Sequence, residues 1–239
     1  MTAQFDELLA DKTLGIGVVG LGYVGLPLAV AFADAGFHVI GIDASPTRVD
    51  QLQAGQSPIL DVPSSVLQRH LGSGLFCPTV DYADLARAEA IFVCVPTPFD
   101  RAKAPDLRYI LDAATSLSTV LRPGHLIILE STTYPGTTED VLIPTLERSG
   151  LKAGRDFHVA FSPERIDPGN RTFTIANTPK VVGGIDAEST RRAALVLGQV
   201  VRNGGVRCVS SPRVAELTKL LENTFRAVNI ALVNELAVL

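Results

Sequence analysis

Three glycines are the first residues whose type and spacing predict chemistry. Gly20, Gly22 and Gly25 follow a short apolar run, and an apolar helical segment over 26–35 comes next. Gly20 permits a tight turn, Gly22 lets a pyrophosphate approach the backbone, and Gly25 lets the helix pack closely on the strand. The helix N-terminus then offers free N–H groups to phosphates. The pattern predicts a dinucleotide site; the alternative is a glycine turn that serves packing alone.

Asp43 ends the second predicted strand, 23 residues after Gly20. That spacing is near the roughly 20 residues expected for a carboxylate that binds the adenosine ribose. A carboxylate there repels a 2′-phosphate, so we expect NAD rather than NADP. Arg48 lies one turn into the helix that Ser45 and Pro46 begin. It is expected either beside the adenine or ribose, or on a solvated surface.

Hydroxyl side chains follow two later strands. Thr97 comes after the apolar run 90–95, and Thr132 belongs to a polar cluster after the run 126–130. Ligands collect at the carboxyl ends of strands in a doubly wound sheet. Thr97 is therefore well placed to hydrogen-bond a bound dinucleotide.

The elements that must position these residues are short apolar runs alternating with helical segments. They predict an α/β fold: a Rossmann-type, doubly wound, mostly parallel sheet over 1–211, followed by a long C-terminal helix over 212–239. Lys219, Asn223 and Arg226 share one face of that helix. Its other faces are apolar nearly all round, so it needs partners beyond one Rossmann domain.

Composition narrows the class of protein. The 239 residues are 46% hydrophobic with a mean hydropathy of +0.27 and a net charge of −4. No membrane-spanning run and no signal peptide are visible, which favours a cytoplasmic protein. The charge lacks a basic block, so nucleic acid is not an expected partner. The three cysteines suggest neither a disulfide framework nor a metal site, and each is expected to be a small buried residue.

Six strings, in order, carry a resemblance to a known family. They are G-L-G-Y-V-G-L-P-L-A at 20–29, C-V-P-T-P at 94–98, E-S-T-T-Y-P-G-T-T-E at 130–139, F-S-P-E-R-I-D-P-G at 161–169, K-V-V-G-G at 180–184 and the helix segment 215–236. Together they resemble the nucleotide-sugar dehydrogenases, that is, the UDP-glucose/GDP-mannose dehydrogenase family. The form S-P-E-R-I-D-P-G is similar to members that act on UDP-N-acetylglucosamine or UDP-N-acetylmannosamine; the glucose enzymes usually have P-E-F-L here.

The resemblance implies oxidation of a sugar C6 alcohol to the acid with two NAD, through a cysteine-bound thioester. By resemblance, Lys219 and Asn223 act at C6, Glu164 is the base for thioester hydrolysis, and Thr132 positions water. Arg165, Ile166 and Arg226 resemble substrate-binding positions, together with Lys219 and Asn223. The implied NAD contacts are Gly20, Gly22, Tyr23, Val24, Gly25, Asp43, Arg48, Thr97 and Thr132.

Simpler interpretations exist for three of these residues. Without the family, Lys219 would be a solvated helix lysine. Glu164 could pair with the adjacent Arg165, and Thr132 could cap the next helix.

One departure from the family limits the expected activity. The family's nucleophilic cysteine lies in a glycine-rich motif beyond the long helix, and Cys77, Cys94 and Cys208 lie elsewhere. The chain therefore resembles an N-terminal portion without the UDP-binding domain, expected to bind NAD but to be inactive alone. Residues 212–239 would begin the central domain, and the family implies a homodimer through that helix.

The alternatives are a UDP-glucose 6-dehydrogenase, a non-catalytic module for NAD binding and dimerisation, and a hydroxyacid-type dehydrogenase. The last shares the first glycine motif, but it lacks the strings at 130–139 and 162–169.

Overall fold

A computed structural model describes residues 2–98, 105–165 and 172–238. Its strands are β1 Ile16–Val19, β2 Val39–Ile42, β3 Phe76–Thr79, β4 Ala90–Val93, β5 Leu126–Leu129, β6 His158–Phe161, β7 Lys180–Gly184 and β8 Val206–Cys208. Its α-helices are α1 Thr2–Ala10, α2 Gly25–Asp34, α3 Pro46–Gln53, α4 Ser64–Gly72, α5 Arg108–Val120, α6 Ile143–Leu146, α7 Ala187–Leu197 and α8 Pro212–Val238. Short 3₁₀ turns cover Tyr82–Arg87 and Glu147–Ser149, and a π turn covers Thr138–Leu142.

These strands form one sheet in the order β3-β2-β1-β4-β5-β6-β7-β8. The first six are mutually parallel, in the 3-2-1-4-5-6 order of dinucleotide-binding sheets. β7 runs antiparallel to β6, and β8 is parallel to β7. The predicted α/β fold, with a mostly parallel sheet and a long final helix, is confirmed.

Alternate residues of the central strands point into two separate cores. Ile16, Val18 and Phe92 pack on one face, which α2 and α7 cover. Val19 and Val93 pack on the opposite face, which α5 covers. Because both faces are covered, β1, β2, β4 and β5 are buried along their whole length, which explains their continuous apolar sequences.

The two outer strands of the sheet are partly exposed, and the prediction that all three cysteines are buried is wrong. Cys94 is buried as expected, but Cys77 and Cys208 are exposed. Cys77 lies in β3 and Cys208 in β8, the two outer strands of the sheet. Side chains of a strand alternate between its faces, and at an edge one of those faces meets solvent.

Reversal of β7 decides which residues meet at the carboxyl end of β6. The register pairs Phe161 with Gly183 and Ala160 with Gly184. Continuing this antiparallel register by three residues along each chain brings Lys180 across from Glu164. A parallel β7 would have put Lys180 at the other end of the strands, next to the amino end of β6.

Helix α8 leaves the sheet after its first turns. Pro212, Ala215 and Glu216 are its buried residues. The apolar residues farther along are exposed, with Leu221 67% and Phe225 69% accessible. Among the described residues, no helix is long and apolar enough to cross a membrane.

Candidate functional site

The glycine loop between β1 and α2 has the geometry that its spacing predicts. Gly20 has φ of +94°, which only glycine adopts readily, and a Cβ on Gly25 would lie 1.8 Å from the Gly20 carbonyl oxygen. A Cβ on Gly22 would meet no atom within 4 Å. The loop is thus tight at Gly20 and Gly25 and open at Gly22, where a pyrophosphate could approach the start of α2.

Asp43 lies at the end of β2 and is held by its neighbours. Its carboxylate accepts hydrogen bonds from the backbone N–H of Leu21 at 2.9 Å and of Ser45 at 3.0 Å. Arg48 Nη1 donates to Asp43 Oδ2 at 3.2 Å. Ser45 caps α3 and Pro46 begins it, as the sequence predicts. Arg48 is therefore joined to the predicted ribose carboxylate and is not merely a solvated side chain.

A cleft of about 880 Å³ lies above the carboxyl ends of β1, β2, β4 and β5. Its lining includes eight of the nine predicted cofactor-binding residues: Gly20, Gly22, Tyr23, Val24, Asp43, Arg48, Thr97 and Thr132. The ninth, Gly25, lies beneath the loop as the first residue of α2. A cleft with an open glycine loop at one side and a fixed carboxylate beside it fits a dinucleotide.

Two threonines connect the ends of β4 and β5 on the floor of this cleft. Thr97 Oγ1 donates to the carbonyl oxygen of Thr132 at 2.6 Å. Ser131 Oγ donates to the carbonyl oxygen of Val95 at 2.7 Å, a second link between the same loops. Thr132 does not cap the next helical segment, which has Thr137 at its N-cap position. Its side chain is exposed and available to a ligand.

Lys219 of α8 meets Glu164, which lies in the loop after β6. Lys219 Nζ donates to the backbone carbonyl oxygen of Glu164 at 2.5 Å, and the lysine is half-buried. Burial lowers the pKa of Lys219; Arg165 and Arg226 lower it further, while Glu164 and Glu222 oppose the shift. The solvated-lysine interpretation is therefore wrong, because this ammonium is anchored at a predicted site residue.

The other predicted substrate-binding residues differ in their surroundings. Arg165 forms an ion pair with Glu222, not with Glu164. Asn223 and Arg226 are exposed on α8, one and two turns beyond Lys219. Ile166 lies outside the described residues.

Sequence reasoning missed three charged residues that organise this region. Lys180 Nζ donates to Glu130 Oε1 and to Glu164 Oε2, each at 2.6 Å. The side chain of Glu164 therefore pairs with a buried lysine and not with the guanidinium of Arg165. Glu216 accepts from the backbone N–H of Gly136 and of Thr138. A signal was present, since a charged residue next to a strand buried on both faces must find a partner.

The comparisons with known proteins agree with the geometry. The profile of the UDP-glucose/GDP-mannose dehydrogenase family NAD binding domain matches residues 14–200, and that of the family's central domain matches residues 213–239. The first match covers most of the chain and names the cofactor of this domain as NAD. The predicted cofactor is thereby confirmed.

Three relatives show the extent of the similarity. Protein CapL of Staphylococcus aureus is 43% identical over 94% of this chain and 52% of its own length. UDP-N-acetyl-D-glucosamine 6-dehydrogenase of Pseudomonas aeruginosa is 39% identical over 95% and 53%. The structure of a UDP-D-ManNAc dehydrogenase from Pyrococcus horikoshii superposes with a TM-score of 0.87 at 36% identity, covering 93% of this chain and 53% of that one. The chain spans about half the length of the curated relatives it matches, and it belongs to the UDP-glucose/GDP-mannose dehydrogenase family.

Proposed function

We propose that this chain carries the NAD site and part of the sugar site of an NAD-dependent UDP-N-acetylhexosamine 6-dehydrogenase, acting on UDP-N-acetylglucosamine or UDP-N-acetylmannosamine. The observation that carries the proposal is the contact between Lys219 and Glu164. Lys180 joins Glu164 to Glu130, two residues before Thr132 in the lining of the cleft. The names of similar proteins, which act on N-acetylated sugars, support this substrate class. UDP-glucose is the second candidate substrate.

The proposed first step is oxidation of the C6 alcohol. NAD held in the cleft would supply the hydride acceptor. Lys219 and Asn223 lie one turn apart on α8, so their side chains can converge on one oxygen. The ammonium of Lys219 would stabilise the alkoxide that develops there. Thr132, exposed in the lining of the cleft, would position a water and contact the cofactor.

Glu164 is the proposed base of a later hydrolysis step. Its carboxylate is 8% exposed and fixed by Lys180, and its backbone oxygen binds Lys219. Such a carboxylate can accept a proton from water next to the alcohol site. Arg165, Ile166 and Arg226 are proposed to bind the substrate's charged or polar groups.

None of the three cysteines has the properties of the thioester nucleophile. Burial raises the pKa of the Cys94 thiol well above its usual range, with the charge of Glu130 adding to the shift, so a thiolate is disfavoured. Cys77 and Cys208 lie in the two edge strands. We therefore propose that the second oxidation needs a cysteine other than these three, and that this chain alone does not complete it.

Exposed apolar side chains on α8 support a further part of the proposal. Leu221, Phe225 and Val228 are each more than half exposed, and patches of this kind mark interfaces. We propose that residues 212–239 begin a central dimerisation domain and that two copies pair through this helix. The same feature favours the second candidate function, a module that binds NAD and dimerises without chemistry.

The test mixes the purified chain with NAD and UDP-N-acetylglucosamine, UDP-N-acetylmannosamine or UDP-glucose, and follows NADH fluorescence. NAD binding is measured separately by calorimetry. We expect binding without two-equivalent turnover; one NADH per sugar would mean that Lys219 and Asn223 suffice for the alcohol step, and Lys219→Ala should abolish it. Two NADH per sugar would contradict the proposal about the cysteines. NAD binding with no NADH from any of the three sugars would favour the binding module.

A further inference from the structure

Two buried carboxylates share one buried ammonium behind the candidate site. The side chains of Lys180, Glu130 and Glu164 are 2%, 0% and 8% exposed, and both ion pairs measure 2.6 Å. With both carboxylates ionised, the three side chains would carry a net charge of −1 where almost no water reaches. Two ionised carboxylates that share one ammonium repel each other at such a site, which favours a proton on one of them.

The two carboxylates are not equivalent. Glu164 Oε1 accepts the backbone N–H of Arg165 at 2.6 Å, and a second ammonium, Lys219 Nζ, contacts the backbone oxygen of the same residue. Within the part of the chain that the structure describes, the donor to Glu130 Oε2 is the thiol of Cys94, 3.9 Å away and a weak donor. Glu164 is thus the better stabilised anion.

The surrounding charges favour the same assignment. Cys94 faces the cluster from the end of β4, while Arg165, Lys219 and Glu222 face it from the loop after β6 and from α8. Arg165 and Glu222 neutralise each other.

Burial raises the pKa of Glu130 to about 7, with Glu164 adding to the shift and Lys180 opposing it. Burial alone would lower the pKa of Lys180, yet the two carboxylates raise it, so the ammonium stays charged.

We propose that Glu130 holds a proton for this cluster and that Lys180 is the positioning residue that keeps Glu164 ionised and fixed in place. Below about pH 7 the cluster is then a Lys180–Glu164 ion pair beside a neutral Glu130 acid. A carboxylate kept free of its proton is what a general base requires. The inference rests on the proposed function only for the role of Glu164 as that base.

The test is a carboxyl titration by ¹³C NMR on the chain labelled at the glutamate side-chain carboxyl. Glu130→Gln and Glu164→Gln preserve side-chain size and assign the two signals. We expect one carboxyl to titrate roughly 2 pH units above the exposed glutamates, and its signal to be absent from Glu130→Gln. In Glu164→Gln the midpoint of Glu130 should fall by about 1 unit or more, because Lys180 then serves Glu130 alone.

Two further variants separate a positioning role from a purely structural one. Lys180→Arg retains the cation and should keep the high midpoint of Glu130, and Glu235→Gln on the exposed part of α8 is the matched control. The inference is overturned if Glu130 titrates together with the exposed glutamates. It is also overturned if the midpoint of Glu130 is unchanged in Glu164→Gln. The readout needs neither NAD nor sugar. If the chain forms NADH while Glu130 titrates like an exposed glutamate, the inference fails and the proposed function stands.

Discussion

Glu216 in α8 accepts hydrogen bonds from both the backbone N–H and the hydroxyl of Thr138, at 2.9 and 2.7 Å. The same carboxylate accepts the N–H of Gly136 at 2.6 Å. It therefore takes the place of a capping side chain for the helical segment after β5. Because Lys219 lies one turn farther along α8 and Thr132 precedes this loop, Glu216 joins the two parts of the proposed site.

Replacing Glu216 by Ala should destabilise the chain. The substitution leaves three buried donors without an acceptor, and we expect the free energy of unfolding to fall by about 3 kcal/mol. Urea denaturation followed by circular dichroism measures it. Glu235→Ala, at an exposed position of the same helix, should change it by less than about 0.5 kcal/mol. Equal effects of the two variants would show that the Glu216 contacts contribute nothing.

Gly22 and Gly25 should respond differently to the same substitution. Gly22→Ala meets no protein atom, so it should fold normally and weaken NAD binding at least about 10-fold by occupying the pyrophosphate space. Gly25→Ala collides with the Gly20 carbonyl oxygen and should lower the melting temperature as well. Calorimetry and thermal denaturation separate the two results. Unchanged NAD affinity in Gly22→Ala would place the pyrophosphate elsewhere.

Asp43→Asn should reduce the preference for NAD over NADP. The amide keeps the shape of the side chain but removes the negative charge. That charge repels a 2′-phosphate and strengthens hydrogen bonds from the ribose hydroxyls. We expect NAD affinity to fall about 10-fold and the ratio of the two affinities to narrow, measured by titration calorimetry. Asp50→Asn, exposed on the same helix as Arg48, serves as the control. An unaltered ratio in Asp43→Asn would argue against the ribose contact.

Glu130 should make stability depend on pH in a defined direction. Its pKa is raised from 4.5 to about 7 in the folded chain, so its contribution is fully present below pH 4.5 and is lost as the pH rises through 7. The loss is up to about 3 kcal/mol. In Glu130→Gln this part of the pH dependence should disappear, as seen by comparing unfolding free energies of the two proteins from pH 4 to pH 8. Parallel curves of unfolding free energy against pH would contradict the raised pKa of Glu130.

The apolar face of α8 should cause self-association. Sedimentation of the chain is expected to depend on concentration, and Leu221→Glu with Phe225→Glu should yield a monomer. Leu60→Glu is the matched control, because Leu60 is 98% exposed but lies on a loop away from α8. A chain that is monomeric at every concentration would count against the dimer.

Much of the NAD cleft could be predicted from local sequence because each part depends on neighbouring residues. Gly20, Gly22 and Gly25 encode the turn through backbone conformation, and Ser45 with Pro46 encodes the start of α3. Thr97 and Thr132, which belong to the family strings, line that cleft. The exposure of Cys77 and Cys208 was not predicted, since a short strand in isolation does not reveal that it lies at the edge of a sheet.

The residues alone determined an α/β chain with a glycine loop, a carboxylate at the end of the second strand and a long apolar helix, because these features follow from periodicity and from glycine geometry. Only the tertiary structure decided that Lys180 reaches Glu164 and Glu130. That meeting depends on the antiparallel direction of β7, which brings the start of β7 to the carboxyl end of β6. Strand direction is set by packing of the whole sheet, and the string K-V-V-G-G is compatible with either direction.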